Sequence, residues 1–136
     1  MKVFIDTSAF IALFVSSEKF HQKVTLKYED YRKLRVQLYT SYYILDELYT
    51  RLIYDFGMTV TQKAIDILNI AIEKEEITVL DIDEVIFKKA QSALIKFSEH
   101  KISLTDGTSY ILYKDFALDE IFTLDSDFKK IRVKTS

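Results

Sequence analysis

Val3-Phe4-Ile5-Asp6-Thr7-Ser8-Ala9-Phe10 is the stretch that decides the fold. An apolar run too short for a helix leads into an aspartate, then two hydroxyl residues, then more apolar positions. Such a run reads as a strand buried on both faces, as in a parallel sheet. A strand is expected over residues 2–6 and a helix over 8–15, capped by Thr7 or Ser8. In an open α/β sheet, ligands bind in the crevice outside the carboxyl ends of the strands. A carboxylate at that joint is placed for chemistry and offers a hydrophobic core little. Asp106 and Asp125 stand at comparable joints near the other end of the chain.

Outward from this stretch, strands and helices alternate. Val24, Tyr28, Tyr31 and Leu34 recur at helical spacing, and residues 36–40 read as a second strand. Ser41 then caps a helix with Leu45, Leu48, Leu52 and Phe56 on one face, and Gly57 ends it. Thr59 or Thr61 opens the next helix, with Ala64, Leu68, Ala71 and Ile72 inward. Residues 77–80 are strand-like, and Asp83 caps a helix through Phe87, Ala90, Leu94 and Phe97. A very short strand is expected at 102–104, then a helix capped by Thr105, then a strand over 120–124 ending at Asp125. The alternation predicts right-handed βαβ units and a mainly parallel sheet covered on both faces. With no proline and no glycine-rich linker, the 136 residues read as one domain.

Composition narrows the function. There is no cysteine, which excludes disulfides and thiolate metal sites. The first residues carry no basic leader and no apolar run approaches the ~20 residues of a membrane span, so neither signal peptide nor membrane anchor is expected. A net charge of −2 argues against a nucleic-acid binder held by overall positive field. Charge is uneven, however: Lys19, Lys23, Lys27, Arg32, Lys33 and Arg35 outnumber Glu29 and Asp30, while residues 73–84 are acidic. A solvated face is the ordinary reading of such runs.

Four carboxylates stand out. Asp6, Asp106 and Asp125 would leave one edge of a parallel sheet, and Glu47 lies about two turns into the helix after Ser41. Converging carboxylates without cation partners repel and raise one another's pKa. A hard divalent cation such as Mg²⁺ or Mn²⁺ relieves this, leaving room for phosphate oxygens. Catalysis of that kind needs no nucleophilic side chain. Each acid also has a structural reading: Asp125 as a helix cap, Asp106 as a first-turn charge, Glu47 as the i+4 partner of Arg51. His21 and His100 lie too far apart in sequence to suggest a catalytic pair, and neither Ser8 nor Ser109 sits in a hydrolase elbow. Most tyrosines and phenylalanines fall at core spacing; Tyr42, Tyr43, Tyr49 and Tyr54 are candidates for a partner groove or dimer face.

Over nearly its whole length the chain resembles the PIN-domain nucleases, and its size and layout look most like the VapC-type toxins of prokaryotic toxin–antitoxin pairs. Val3-Phe4-Ile5-Asp6-Thr7-Ser8-Ala9-Phe10 matches the opening apolar-Asp-Thr-Ser signature. Leu45-Asp46-Glu47-Leu48 matches the helical glutamate, Ser103-Leu104-Thr105-Asp106 the third acid, and Phe122-Thr123-Leu124-Asp125-Ser126-Asp127-Phe128 the closing segment. The resemblance implies a three-layer α/β/α sandwich and Mg²⁺- or Mn²⁺-dependent cleavage of RNA phosphodiesters. Asp6, Glu47, Asp106 and Asp125 would be the metal-binding and catalytic acids, supported by Thr7, Thr123 or Asp127. It also implies a cytoplasmic protein, a small antitoxin partner and a homodimer or higher homo-oligomer. Asp46 points roughly 100° away from Glu47 on a helix, so Glu47 is favoured; Asp127 remains a close rival to Asp125. Gly107 departs from the small nonglycine residue common after the third acid.

Other classes fit less well. A signalling receiver needs an acidic pair after its first strand and a lysine after its last. A haloacid-dehalogenase-like phosphatase needs Asp-x-Asp where this chain has Asp6-Thr7-Ser8. The remaining alternatives are a noncatalytic PIN-like module that binds RNA or protein, and an RNA-processing nuclease outside toxin–antitoxin systems.

Overall fold

The computed structural model describes residues 1–131 and 133–136. In chain order the elements are β1 (Lys2–Ile5), α1 (Thr7–Phe14), α2 (His21–Lys33), β2 (Gln37–Ser41), α3 (Tyr42–Phe56), α4 (Met58–Glu73), β3 (Ile77–Leu80), α5 (Glu84–Lys96), a 3₁₀ turn (Ser98–His100), α6 (Leu104–Asp115), β4 (Glu120–Phe122) and α7 (Asp127–Lys130). The strands form one sheet in the order β3-β2-β1-β4, every pairing parallel. The chain builds outward from β1 through β2 to β3, then crosses back to lay β4 on the other side of β1. Right-handed crossovers therefore put α1–α4 on one face and α5–α6 on the other, an α/β/α sandwich. The reversal of strand order falls between β1 and β4, and that is where such sheets open a crevice at their carboxyl ends.

Burial explains why β1 is central. Val3, Phe4 and Ile5 are at most 1% exposed. Burying apolar side chains of that size contributes roughly 1.5–3 kcal/mol each. β1 pairs with β4 through Val3 opposite Glu120 and Ile5 opposite Phe122, and the Asp6 amide extends the ladder to the Phe122 carbonyl at 3.0 Å. Phe10, Phe128, Leu48 and Leu112 are among the other fully buried side chains. Among the described residues, no helix is long and apolar enough to cross a membrane.

Glycine ends only one of the long helices. Gly57, at φ +91°, separates α3 from α4. By contrast α2, α4 and α6 end at Arg35, Glu75 and Ala117, each with φ between +51° and +60°. In each case the next amide reaches back five residues: Val36 to Tyr31, Glu76 to Ala71, Leu118 to Tyr113, at 2.8–3.0 Å. These are Schellman turns closed without the residue that adopts them most easily. Gly107 serves packing instead, since a Cβ there would stand 3.2 Å from the Ala90 carbonyl oxygen across the α5–α6 contact.

The structure departs from the sequence expectations at several places. There is no strand at 102–104; Ser103 is the N-cap of α6 and Thr105 lies inside the helix, because Ser103 and Asp106 form a reciprocal capping box. Neither Thr7 nor Ser8 caps α1; Asp6 occupies the cap position and its side chain is engaged elsewhere. α4 starts at Met58, and the Thr61 hydroxyl donates back to the Gly57 carbonyl. Leu34 is 76% exposed, because α2 has already ended at Lys33. A parallel bridge between Ile121 and Thr135, unmarked in the sequence pattern, lays the closing residues along the free edge of β4.

Glycine at Glu75 or Ala117 relieves a left-handed conformation, so each substitution is expected to raise stability by about 1 kcal/mol in urea denaturation. Gly107→Ala is expected to lower it by about 1–3 kcal/mol, since the Ala90 carbonyl must give way.

Candidate active site

Asp6 emerges from the centre of the sheet and is only 4% exposed. Its Oδ2 accepts a hydrogen bond from Thr123 Oγ1 at 2.7 Å and a longer one from Ser8 Oγ at 3.3 Å. The same two hydroxyls organise the segment after β4. The Leu124 amide donates to Ser8 Oγ and the Asp125 amide to Thr123 Oγ1, both at 2.9 Å. Ser8 and Thr123 also stand 3.1 Å apart. A hydroxyl relay thus ties the exit of β1 to the exit of β4. Ser8 was missed as a site residue; its signal is the Asp-x-Ser spacing at a strand–helix joint, where the hydroxyl can turn back on the carboxylate.

The other acids arrive from helices and a turn. α3 starts crisply because Ser41 Oγ accepts from the Ile44 amide at 3.2 Å. Leu45 and Leu48 then face the core, leaving Glu47 half-buried and Asp46 exposed. Asp106 comes, as expected, from the first turn of α6, although no strand precedes that helix. Its Oδ2 accepts from the Ser103 amide at 3.2 Å. Asp125 Oδ1 accepts from the Asp127 amide at 2.8 Å, bending the chain into α7. Asp127 is paired with Lys130 at 3.1 Å, so the half-buried Asp125 is the better-placed member of that pair.

Electrostatics links all four. Burial, first of all, pushes Asp6 up to about 7; Thr123 opposes this, and the charges of Asp106 and Glu47 add to it. Asp106 is also raised, chiefly by burial, then by Asp125 and Glu47 against the stabilising Ser103 contacts. Among the described residues, no lysine, arginine or histidine forms a salt bridge with Asp6, Glu47, Asp106 or Asp125. The Glu47–Arg51 pair that the sequence allows is not made. The Thr7 hydroxyl, buried beside Asp6, has no hydrogen-bond partner.

Such a set, all oxygen and all anionic, matches the donor chemistry of a hard divalent cation. It is not a closed cage. Among the described residues, no three Asp, Glu or His side chains are gathered tightly enough to hold one ion as they stand. The hydrogen bonds of Asp106 and Asp125 explain part of this, since each carboxylate has an oxygen committed to a local backbone amide. His21 takes no part, its Nδ1 lying 2.7 Å from the Ala12 carbonyl.

Metal-free stability should carry the signature of Asp6. A raised carboxylate stabilises the fold fully below the ordinary carboxylate range and loses that contribution as pH rises through about 7. In EDTA, Asp6→Asn is expected to be more stable than the parent at pH 8, the gap shrinking steadily toward pH 4. A gap that does not change with pH in thermal melts contradicts this assignment.

Comparison with known proteins agrees with the geometry. No curated protein matches the chain. Among solved structures, VapC20 of Mycobacterium tuberculosis, described as a sarcin–ricin loop cleaving toxin, superposes with a TM-score of 0.80 at 20% identity, covering 96% of this chain and 95% of that one. VapBC2 from Rickettsia felis, bound to a DNA fragment from its promoter, gives 0.73 at 14% identity over 100% and 98%. FitAcB from Neisseria gonorrhoeae gives 0.63 at 16% over 98% and 95%. These likenesses establish a shared fold. The family model for the PIN domain matches residues 3–134, and the chain belongs to the PIN domain family.

Proposed function

We propose that this protein is a divalent-metal-dependent endoribonuclease of the VapC type, the toxin of a pair whose antitoxin is a small protein. The observation that carries the reading is the uncompensated acidic cluster at the β1–β4 crevice, with Asp6 almost fully buried and no cation pairing among the described residues. Burying a carboxylate without a cation beside it opposes folding. A noncatalytic module would gain stability by losing it.

Asp6, Glu47, Asp106 and Asp125 would hold Mg²⁺ or Mn²⁺. A cation bound there neutralises their charge, polarises the phosphodiester and makes water a competent nucleophile near neutral pH. Thr123 and Ser8 fix the orientation of Asp6 through their hydrogen bonds to Oδ2. Ser103 holds Asp106 toward its own amide, so ion binding competes with that bond. Glu47 carries no charge partner among the described residues and is open to a cation ligand. Thr7 and Asp127 are supporting residues, the first by its unpaired hydroxyl and the second through the turn it makes with Asp125. Likeness in fold to VapC20, VapBC2 and FitAcB supports the toxin reading and an antitoxin partner; a homodimeric state and a cytoplasmic setting belong to the same proposal.

Purified protein should cleave single-stranded RNA with Mn²⁺ and fall silent in EDTA. Asp6→Asn should reduce cleavage to background, while Thr123→Val, which removes only an orienting bond, should lose about 10–100-fold. Cleavage that persists in EDTA, or full activity in Asp6→Asn, refutes the proposal.

A further inference from the structure

Beside the acids lies a groove of about 840 Å³ between α2 and the segment that follows β4. Lys19, Lys23, Lys27 and Lys129 line it, against only Asp30 and Asp125, in a chain whose overall charge is −2. Among the described residues none of these lysines forms a salt bridge, although Lys88, Lys89 and Lys130 all do. Lys23 and Lys27 stand one turn apart, about 6 Å, along one side of α2, and Lys19 lies in the turn just before the helix. Phe20, 41% exposed, stands among them with the Lys19 and Lys23 ammonium groups 5.3 and 5.9 Å from its ring centroid. Another hollow, of about 720 Å³, is lined by Arg32 and Arg35 against Glu75 and Glu76 and holds none of the four acids. The charge surplus therefore belongs to the groove that touches the site.

We infer that this groove is the track for one strand of nucleic acid, its phosphates held by Lys19, Lys23, Lys27 and Lys129 and one base stacked on Phe20. The inference rests on the nuclease reading and adds to it how the strand reaches the acids. Thr123, Leu124 and Asp125 line the same groove. Phe20 and Leu124 are also walls of a smaller recess, about 140 Å³, that contains Ser8 and Arg51. A strand leaving the lysines thus crosses the relay above Asp6 and meets a further cation beyond it. An exposed aromatic face among ammonium groups selects a strand with unstacked bases, since a duplex keeps its bases covered. Unpaired surface lysines select the phosphate backbone and carry no sequence preference.

The test uses the full chain with Asp6→Asn, a short fluorescein-labelled oligouridylate and Mg²⁺, read by anisotropy between about 50 and 200 mM salt. Replacing the four lysines with glutamine should weaken binding at least tenfold. It should also flatten the salt slope by about 0.7 for each lysine removed. Phe20→Ala should weaken the single strand about tenfold and leave a duplex of the same length unaffected. Lys63→Gln, on exposed α4, should change nothing. Unchanged affinity and slope in the lysine variants overturn the track, as does a groove that binds an acidic peptide while RNA binding ignores it. Cleavage of the same oligonucleotide by the parent chain is scored separately. Cleavage with lysine-independent binding refutes the track alone, and lysine-dependent binding without cleavage refutes the nuclease reading alone.

Discussion

The hydrogen bond from Thr123 Oγ1 to Asp6 Oδ2 joins residues 117 positions apart in the chain. It exists because β1 and β4 are neighbours in the sheet, so their exits face each other across the point where strand order reverses. Ser8 braces the same carboxylate and, through the Leu124 amide, the loop that carries Asp125. Without this relay Asp6 would still be buried, but neither its orientation nor the path of the loop would be fixed. The remaining acids are arranged around a point that these two hydroxyls define.

That arrangement sets folding against chemistry. Most of the molecule follows rules that favour stability: a central strand shielded on both faces, capped helices, aromatic pairs such as Phe97 with Tyr110 and Tyr31 with Phe122. Glu120, another buried acid, is satisfied by the Tyr31 hydroxyl at 3.0 Å. Asp6 is treated differently. It is as buried as Glu120, receives hydroxyl contacts, and is still pushed toward neutrality, chiefly by burial and then by its acidic neighbours. The two buried carboxylates thus differ in surroundings: Glu120 meets a phenol hydroxyl, whereas Asp6 also faces other acids.

Much of the fold was legible because its strands are short apolar runs and its helices carry clear faces. The strand at 77–80, the Ser41 and Asp83 caps and the Gly57 boundary appear as the sequence suggests. Several failures share a physical origin, which is that hydroxyl residues have more than one way to make their hydrogen bonds. Ser8 turns to Asp6 when it might have capped α1, and Ser103 caps α6 where an extended segment was expected. The Schellman ends at Arg35, Glu75 and Ala117 left no trace because glycine is absent from them. The helical spacing anticipated that Glu47 would be half-buried and Asp46 exposed. What the sequence could not convey is that Asp106 and Asp125 would engage local amides instead of pointing freely into one cage.

The pairing of β1 with β4 also has a consequence for synthesis on the ribosome. Asp6 is made early, but the hydroxyl that orients it and the loop bearing Asp125 are translated more than a hundred residues later. β1 can zip onto β2 beforehand, whereas its other edge stays open until residues 120–128 have left the exit tunnel and docked. A nascent or truncated chain therefore holds a scattered set of carboxylates. The crevice between β1 and β4 closes only once that late segment has docked, so its geometry depends on a pairing between distant parts of the chain.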